Sequence, residues 1–208
     1  MIRRLIDIGV ALLALPLLSP LFFLVSLAIV FESPGGPFYR GWRIGKGGHR
    51  FRMWKFRTMV GGADRLGSAI TTPRDPRITK LGWFLRKSKL DELPQFFNLL
   101  VGDITLVGPR PEDPGIVERY TAQQRQVLRV KPGITGPVQL RYTALEAETI
   151  PDGKDAQQFY IERVLAGKLL LDLEYLHKRS FFSDCSVVLQ TIWLMARALT
   201  RTRAPAGS

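Results

Sequence analysis

The chain has 208 residues, 46% apolar and 23% charged, with 30 Lys and Arg against 18 Asp and Glu for a net charge of +12. That length supports one domain with a sizeable core and excludes an elaborate multidomain assembly, and the composition excludes wholesale disorder. The positive surplus predicts a polyanionic partner: nucleic acid, an anionic membrane leaflet or phosphorylated substrates.

After Met-Ile-Arg-Arg the chain runs from Ile8 to Phe31 without a charged residue. At a rise of 1.5 Å these 24 residues would reach about 36 Å as a helix, enough to cross a hydrocarbon core of roughly 30 Å. A cleaved signal peptide fits less well, because the run is too long and no small-x-small cleavage site follows. Pro16 and Pro20 each remove a backbone donor and crowd the carbonyl four residues earlier, so a bend is expected, and Ser19 could satisfy a freed carbonyl. Two topologies stay open on these grounds: a spanning helix, and a helix-break-helix that enters and leaves by one face. Basic residues flank the run on both sides, which favours the second under the positive-inside rule.

Ser33-Pro-Gly-Gly-Pro37 reads as a loop. Phe38 to Ile44 and Arg50 to Phe56 flank Gly45-Lys-Gly-Gly48, the pattern of a short β-hairpin with alternating basic and apolar positions. Residues 40–89 hold 14 Lys and Arg against two acids, Asp64 and Asp75, so this window carries the whole surplus. Residues 61–79 read as a loop. A helical pattern begins at Leu81, restarts at Leu90 to Leu100 and closes at Gly102 and the turn Gly108-Pro-Arg-Pro111. Residues 116–130 read as one helix ended by Lys131-Pro-Gly133; 156–180 and 183–199 are helical again, before a polar tail. The apolar helices near 83–100 and 183–199 suit either a globular core or a membrane interface. Cys185 is the sole cysteine, which excludes an internal disulfide, and with only His49 and His177 beside it no soft-ligand zinc site can form. In its apolar run Cys185 reads as a buried packing residue.

The densest cluster for chemistry is Arg86-Lys-Ser-Lys-Leu-Asp91-Glu92-Leu-Pro-Gln95. Two adjacent carboxylates among cations suit a carboxylate nucleophile with a neighbour handling metal or protons. They do not suit glycoside hydrolysis, whose paired acids flank a bond from opposite sides. Ser88 to Asp91 also matches a helix-capping signature, and the two readings can coexist. Arg110, held between Pro109 and Pro111, presents a guanidinium that can bind phosphate, or simply marks a turn.

Five blocks in order carry a resemblance: the apolar segment broken at Ser19-Pro20, Trp54-Lys-Phe-Arg-Thr-Met59, Ser88-Lys-Leu-Asp-Glu-Leu-Pro-Gln95, Gly102-Asp-Ile-Thr-Leu-Val-Gly-Pro-Arg-Pro111 and Lys131-Pro-Gly-Ile-Thr-Gly136. Over residues 1 to about 195 the chain resembles the bacterial sugar transferases, the monotopic phosphoglycosyl transferases. The resemblance implies an α+β, mainly helical fold: a re-entrant membrane helix-break-helix over 1–34, a cytoplasmic, membrane-associated catalytic domain with a small β-hairpin and amphipathic interfacial helices over 35–199, and a polar tail over 200–208. It implies transfer of a sugar phosphate from a UDP-sugar to polyprenyl phosphate at the cytoplasmic face of the bacterial inner membrane, with Mg2+ and release of UMP. Asp91 matches the nucleophile that forms a phosphosugar-enzyme intermediate, and Glu92 its metal- or acceptor-handling partner. Arg86 matches a phosphate contact, Pro109, Arg110 and Pro111 an element near the nucleotide, Lys55 and Arg57 a basic element near the site, and Ser19 and Pro20 the re-entrant break. Gly41 departs from the family, which often carries Gln there, and the chain resembles the short form without an extra transmembrane domain.

The rival reading is a membrane-tethered basic module that binds anionic lipid or nucleic acid without catalysis. No helix-turn-helix, zinc finger or RNP-type block is present, so nucleic acid is not an expected partner and anionic lipid remains one.

Overall fold

The computed structural model describes residues 2–63, 71, 75–142 and 156–200. The expected loop over 61–79 is therefore described mainly at its ends, and the polar tail from 201 lies outside the described residues.

Helix α1 (Ile2–Glu32) contains Pro16 and Pro20 and continues as one helical element through both. Pro20 has no N–H for the Pro16 carbonyl, and Ser19 Oγ donates to that carbonyl at 2.8 Å, the local repair expected from sequence. One stripe of α1 packs along the domain: Ala11, Leu15, Leu18, Phe22, Val25 and Ile29 recur at alternating spacings of four and three. Burying side chains such as Phe22 or Ile29 contributes about 1.5–3 kcal/mol each. The opposite face carries the reverse cost in water, because eleven large apolar side chains of α1 are exposed, Leu17 at 80% and Phe31 at 82% among them. A face of that size calls for an apolar surrounding.

Both ends of α1 are tied to the same domain. At the start, Arg4 donates to the Leu99 and Leu100 carbonyls at 2.6 and 2.7 Å, and Asp7 accepts from Thr105 Oγ1 at 2.8 Å and from the Leu106 amide at 3.0 Å. At the finish, Glu32 accepts from the Leu81 amide at 2.8 Å.

The hairpin forms where its sequence pattern places it, with β1 (Phe38–Ile44) antiparallel to β2 (Arg50–Phe56) and Phe38 opposite Phe56. Gly47 and Gly48 turn the chain at φ 68° and 83°, values that favour glycine. Arg52 lies over the Trp42 ring at 4.3 Å and Arg40 over Trp54 at 4.7 Å, so the cations of the outer face stack across the strands.

Helix α2 (Lys80–Lys87) and helix α3 (Gln95–Val101) follow, and Gly102 closes α3 at φ 98°. Strand β3 (Thr105–Val107) pairs in parallel with β4 (Gly133–Thr135). Between them the single helix expected over 116–130 is not formed. Helix α4 (Pro114–Val117) is one turn, and a 3-10 segment occupies Gln124–Arg129. The interruption is a reciprocal capping box: Thr121 Oγ1 accepts from the Gln124 amide at 3.2 Å while Gln124 Oε1 accepts from the Thr121 amide at 2.9 Å.

Helix α5 (Ala156–Phe159), a π turn (Tyr160–Val164) and helix α6 (Leu165–Lys178) make up the expected 156–180 segment, and α7 (Phe181–Thr200) follows. Cys185 is exposed on α7, which corrects the expectation of a packing thiol. The reason is that α7 lies on the surface with Val187 inward, while Phe182, Leu189, Ile192 and Trp193 stand outward. The main core packs Ile116, Val117, Tyr120 and Val127 against Tyr160, Leu165 and Leu169, and two smaller clusters lie between α1, the hairpin and α3.

Candidate active site

The link from α2 to α3 sets the two carboxylates. Ser88 does not cap the following turn as its signature allowed. It ends α2 instead, donating back to the Phe84 carbonyl at 2.8 Å. Lys89 then adopts φ 61°, the left-handed region, and is the sole non-glycine residue there among the described residues. That conformation costs about 1–3 kcal/mol and is held by what surrounds it. It turns the chain into a 3-10 segment, Leu90–Glu92, which carries Asp91 and Glu92 inward.

Strand alternation brings the first cation. Phe51 and Met53 face α3 and α1, and Lys55 continues that face with period two. Lys55 Nζ reaches Glu92 Oε1 at 2.7 Å, and Arg110 Nη2 reaches the same oxygen at 3.1 Å. Asn98 steadies the strand beside Lys55, accepting from the Trp54 amide at 2.9 Å and donating to the Arg52 carbonyl at 2.8 Å. Arg86 Nε donates to Thr58 Oγ1 at 2.8 Å, and its charge acts on Asp91 and Glu92. Gly82 permits this approach, since a Cβ there would stand 2.0 Å from the Thr58 carbonyl oxygen.

Pro109, Arg110 and Pro111 are held by the Lys131 to Gly136 block. The Gly108 amide donates to Thr135 O and the Gly133 amide to Pro109 O, each at 2.9 Å. A Cβ on Gly133 would stand 2.1 Å from the Gly108 nitrogen, so only glycine lets the two segments touch.

Arg57 lies elsewhere. Its guanidinium donates to Ser33 O at 2.6 Å, to Ile29 O at 3.3 Å and to Pro34 O, which caps the C-terminal end of α1. Lys55, Arg86 and Arg110 thus gather around the Asp91-Glu92 pair and Arg57 does not. Ser19 and Pro20 sit in α1. At Gly41, the departure from the family pattern, the Tyr39 ring occupies the space a side chain would take, 2.9 Å from an added Cβ.

The neighbouring carboxylates are in different electrostatic states. Burial is the largest influence on Glu92 and acts upward, but Lys55, Arg110 and Lys89 outweigh it and hold Glu92 well below the usual range. Burial pushes the Asp91 carboxyl up, opposed first by Lys55, and the Glu92 charge adds to the rise against Lys89 and Arg86. Among the described residues Asp91 enters no ion pair and no side-chain hydrogen bond. It is a desolvated carboxylate with a free oxygen in a shell of cations, which suits attack on a phosphorus centre.

The same pair fits a magnesium ion. No third acidic, His or Cys group joins it among the described residues, and Mg2+ ordinarily takes one or two carboxylates with water and phosphate oxygens completing its shell. Residues that sequence reasoning did not assign to the site are Thr58 and Asn98. Asn98 left a signal, a lone amide within the apolar run Phe96 to Val101.

A family model described as bacterial sugar transferase matches residues 1–198. A UDP-glucose:undecaprenyl-phosphate glucose-1-phosphate transferase of Escherichia coli (strain K12) is 36% identical over 200 residues, which are 93% of this chain and 40% of that protein. A UDP-N-acetylgalactosamine-undecaprenyl-phosphate N-acetylgalactosaminephosphotransferase of Aeromonas hydrophila is 36% identical over 92% of this chain and 43% of its own length. A UDP-glucose:undecaprenyl-phosphate glucose-1-phosphate transferase of Caulobacter vibrioides is 34% identical over 91% of this chain and 68% of its own. The chain thus spans less than half the length of the first two relatives.

Proposed function

Since the chain belongs to the bacterial sugar transferase family, we propose that it transfers a sugar 1-phosphate from a UDP-sugar to polyprenyl (undecaprenyl) phosphate and so starts synthesis of a glycoconjugate or exopolysaccharide. The observation that carries this reading is the division between the two carboxylates: Glu92 clamped by Lys55 and Arg110, and Asp91 free beside it.

A carboxylate oxygen of Asp91 attacks the sugar-bearing phosphorus. The new P–O bond forms as the bond to the bridging oxygen breaks, and UMP leaves with that electron pair. A phosphate oxygen of the polyprenyl phosphate then attacks the same phosphorus, returning the Asp91 carboxylate and yielding a polyprenyl diphosphate sugar. Lys55, Lys89 and Arg86 oppose the rise that burial and the Glu92 charge impose on the Asp91 carboxyl, favouring the ionised form that a nucleophile requires. Arg110 holds Glu92 in place and brings a forked donor to the edge of the site. Asp91 and Glu92 would hold Mg2+, which would neutralise charge on the phosphate oxygens.

The site lies at the cytoplasmic face of the inner membrane in this reading, with α1 re-entrant. Its supports are the attachment of both ends of α1 to one domain and the apolar faces of α1 and α7. Exposed Trp83 and Trp193 each carry a cation over the ring, Lys87 at 4.8 Å and Arg197 at 5.0 Å, as suits an interface with anionic lipid. The test is release of UMP from a panel of UDP-sugars by the purified protein with polyprenyl phosphate and Mg2+. Release with one sugar is expected; none across the panel overturns the reading.

A further inference from the structure

A second polar cluster packs against the Pro-Arg-Pro element, and nothing in the reaction above uses it. The Tyr160 hydroxyl donates to Glu112 Oε1, and Lys168 Nζ donates to that hydroxyl at 2.8 Å and stands 3.7 Å from Glu112 Oε1. Lys168 is 4% exposed, and its Nζ also lies 4.8 Å from the centre of the Tyr160 ring. Asp172, one turn further along α6, is pushed by burial up to about 7, so below that pH it leaves the pairing of Lys168 to Glu112.

The π turn assembles this cluster. In an unbroken α-helix, residues eight apart such as Tyr160 and Lys168 would diverge by about 80° around the axis; absorbing one extra residue reduces that to about 20°. Tyr160 therefore shares a face with Lys168, and the two meet Glu112 in the loop after β3.

Glu112 is gripped at two points. Its side chain is held by Tyr160 and Lys168, and its carbonyl accepts from the Ile44 amide of β1 at 3.1 Å. Two residues earlier, Arg110 Nη2 reaches Glu92 Oε1 at 3.1 Å. Little can flex between Glu112 and Arg110. Pro109 and Pro111 each fix one torsion, Arg110 is confined to extended backbone by the proline that follows it, and the Pro109 carbonyl is held by the Gly133 amide at 2.9 Å.

We propose that Glu112 is a positioning residue for the catalytic pair: Tyr160 and Lys168 hold its carboxylate, and the stiff Pro-Arg-Pro segment passes that hold to Arg110, whose guanidinium stays on Glu92. This rests on the transferase reading given above. A buried ion pair is a poor device for stability alone, because well-packed apolar side chains of similar volume often match or exceed it. What it supplies is direction, a carboxylate set by charge-assisted donors on one helix face.

The test replaces the charged pair as a whole, Glu112→Leu with Lys168→Met, so that neither charge is left buried without the other, and adds Tyr160→Phe as a milder single change. UMP release gives kcat and denaturant unfolding gives stability. The paired variant should unfold near the wild-type midpoint yet lose about 100-fold in kcat, the scale of a misplacement of about 1 Å. Tyr160→Phe should lose about tenfold. In an Arg110→Met background the paired substitution should change kcat by no more than about twofold, since the residue through which Glu112 acts is gone. Wild-type kcat in the paired variant, or an equal loss with and without Arg110, overturns the proposal. A crystal structure of the paired variant should show Arg110 withdrawn from Glu92. Arg110 still within hydrogen-bond distance of Glu92 overturns the proposal whatever the activity, and this structure decides if the Arg110→Met background is too slow to measure. If the paired variant does not fold, Tyr160→Phe decides, and wild-type kcat there overturns the proposal. A wild type that releases no UMP from any sugar overturns the transferase reading instead, and the crystal structure still tests the hold on Arg110.

Discussion

Lys55 Nζ stands 2.7 Å from Glu92 Oε1, so the inward-facing cation of the hairpin is assigned to the second carboxylate and not to the first. The pKa values of two residues adjacent in sequence are thereby pushed in opposite directions. Glu92 is held ionised and occupied, while burial raises Asp91 and leaves it unpaired.

Asp91→Asn should abolish UMP release while leaving folding intact. The carboxylate makes no side-chain hydrogen bond among the described residues, so its removal breaks no contact, and relief of a buried charge should leave the unfolding midpoint equal or higher. Turnover within about tenfold of wild type would exclude Asp91 as the nucleophile.

Glu92→Gln should behave in the opposite way on stability. It leaves Lys55 and Arg110, with side chains 19% and 31% exposed, facing a neutral amide. The loss should be about 1–3 kcal/mol, below the range for a fully buried pair because both cations retain some solvent. The double variant Lys55→Met/Glu92→Gln should lose less than the two single losses together. Additive losses in denaturant unfolding would show that the pair is not coupled.

Much of this site was legible in the chain itself. The alternation of Phe51, Met53 and Lys55 has the strand period, and the hairpin formed between the residues it named. The Asp-Glu pair stood out by its cations. What sequence reasoning missed depends on contacts distant along the chain: Arg57 resembles a site residue by motif, yet its guanidinium goes to carbonyls 23 to 28 residues earlier. Ser88 fits a cap by spacing, but the positive φ of Lys89 ends one helix there and prevents that cap for the next. The helix expected over 116–130 failed because Thr121 and Gln124 carry a start signal within it.

Arg57→Met separates a capping role from a substrate contact. In the capping role it orphans the Ser33 and Pro34 carbonyls, while Ile29 O keeps the Ser33 amide, and should cost about 2–4 kcal/mol, taking about 1.5–3 for each charged hydrogen bond less what water restores. KM for the UDP-sugar should then change by no more than about twofold. Unchanged stability with a raised KM would instead support the phosphate contact that the family motif implies.

Stability should depend on pH through Asp172. The native carboxyl keeps its proton up to about 7 and an unfolded Asp releases it near 3.8, so the native state binds more protons between those values. Stability contributed by this group therefore falls as pH rises across that window and levels off above it, by at most about 4 kcal/mol. Asp172→Asn should match wild type near the lower end and exceed it in unfolding midpoint near pH 8. An advantage that is the same at all pH values would contradict a titrating Asp172.

The topology of α1 is open to a direct measurement. A straight helix of 31 residues would reach about 46 Å, more than a hydrocarbon core of about 30 Å. If it spanned, the domain bound to Arg4 at one end and to Glu32 at the other would have to lie along the helix inside the bilayer. That domain presents Arg40, Arg50 and Arg52 on the exposed hairpin, and cations of this kind cost about 2.5–3.5 kcal/mol each near the bilayer centre. A re-entrant α1 would leave all of them in water or headgroups, with Ser19 covering the Pro16 carbonyl where the break would fall. In a Cys185→Ser background, needed because Cys185 is exposed, cysteines at Ile2 and at Gly36 should both react with an impermeant thiol reagent from the same side. Gly36 is the better of the two loop glycines, since a Cβ there meets nothing, whereas Gly35 has φ +119° and lies against Arg57. Reaction of the two positions from opposite sides would establish a span and place Arg4 and Glu32 across the membrane from each other, a state in which the contacts both make with the one domain could not persist together.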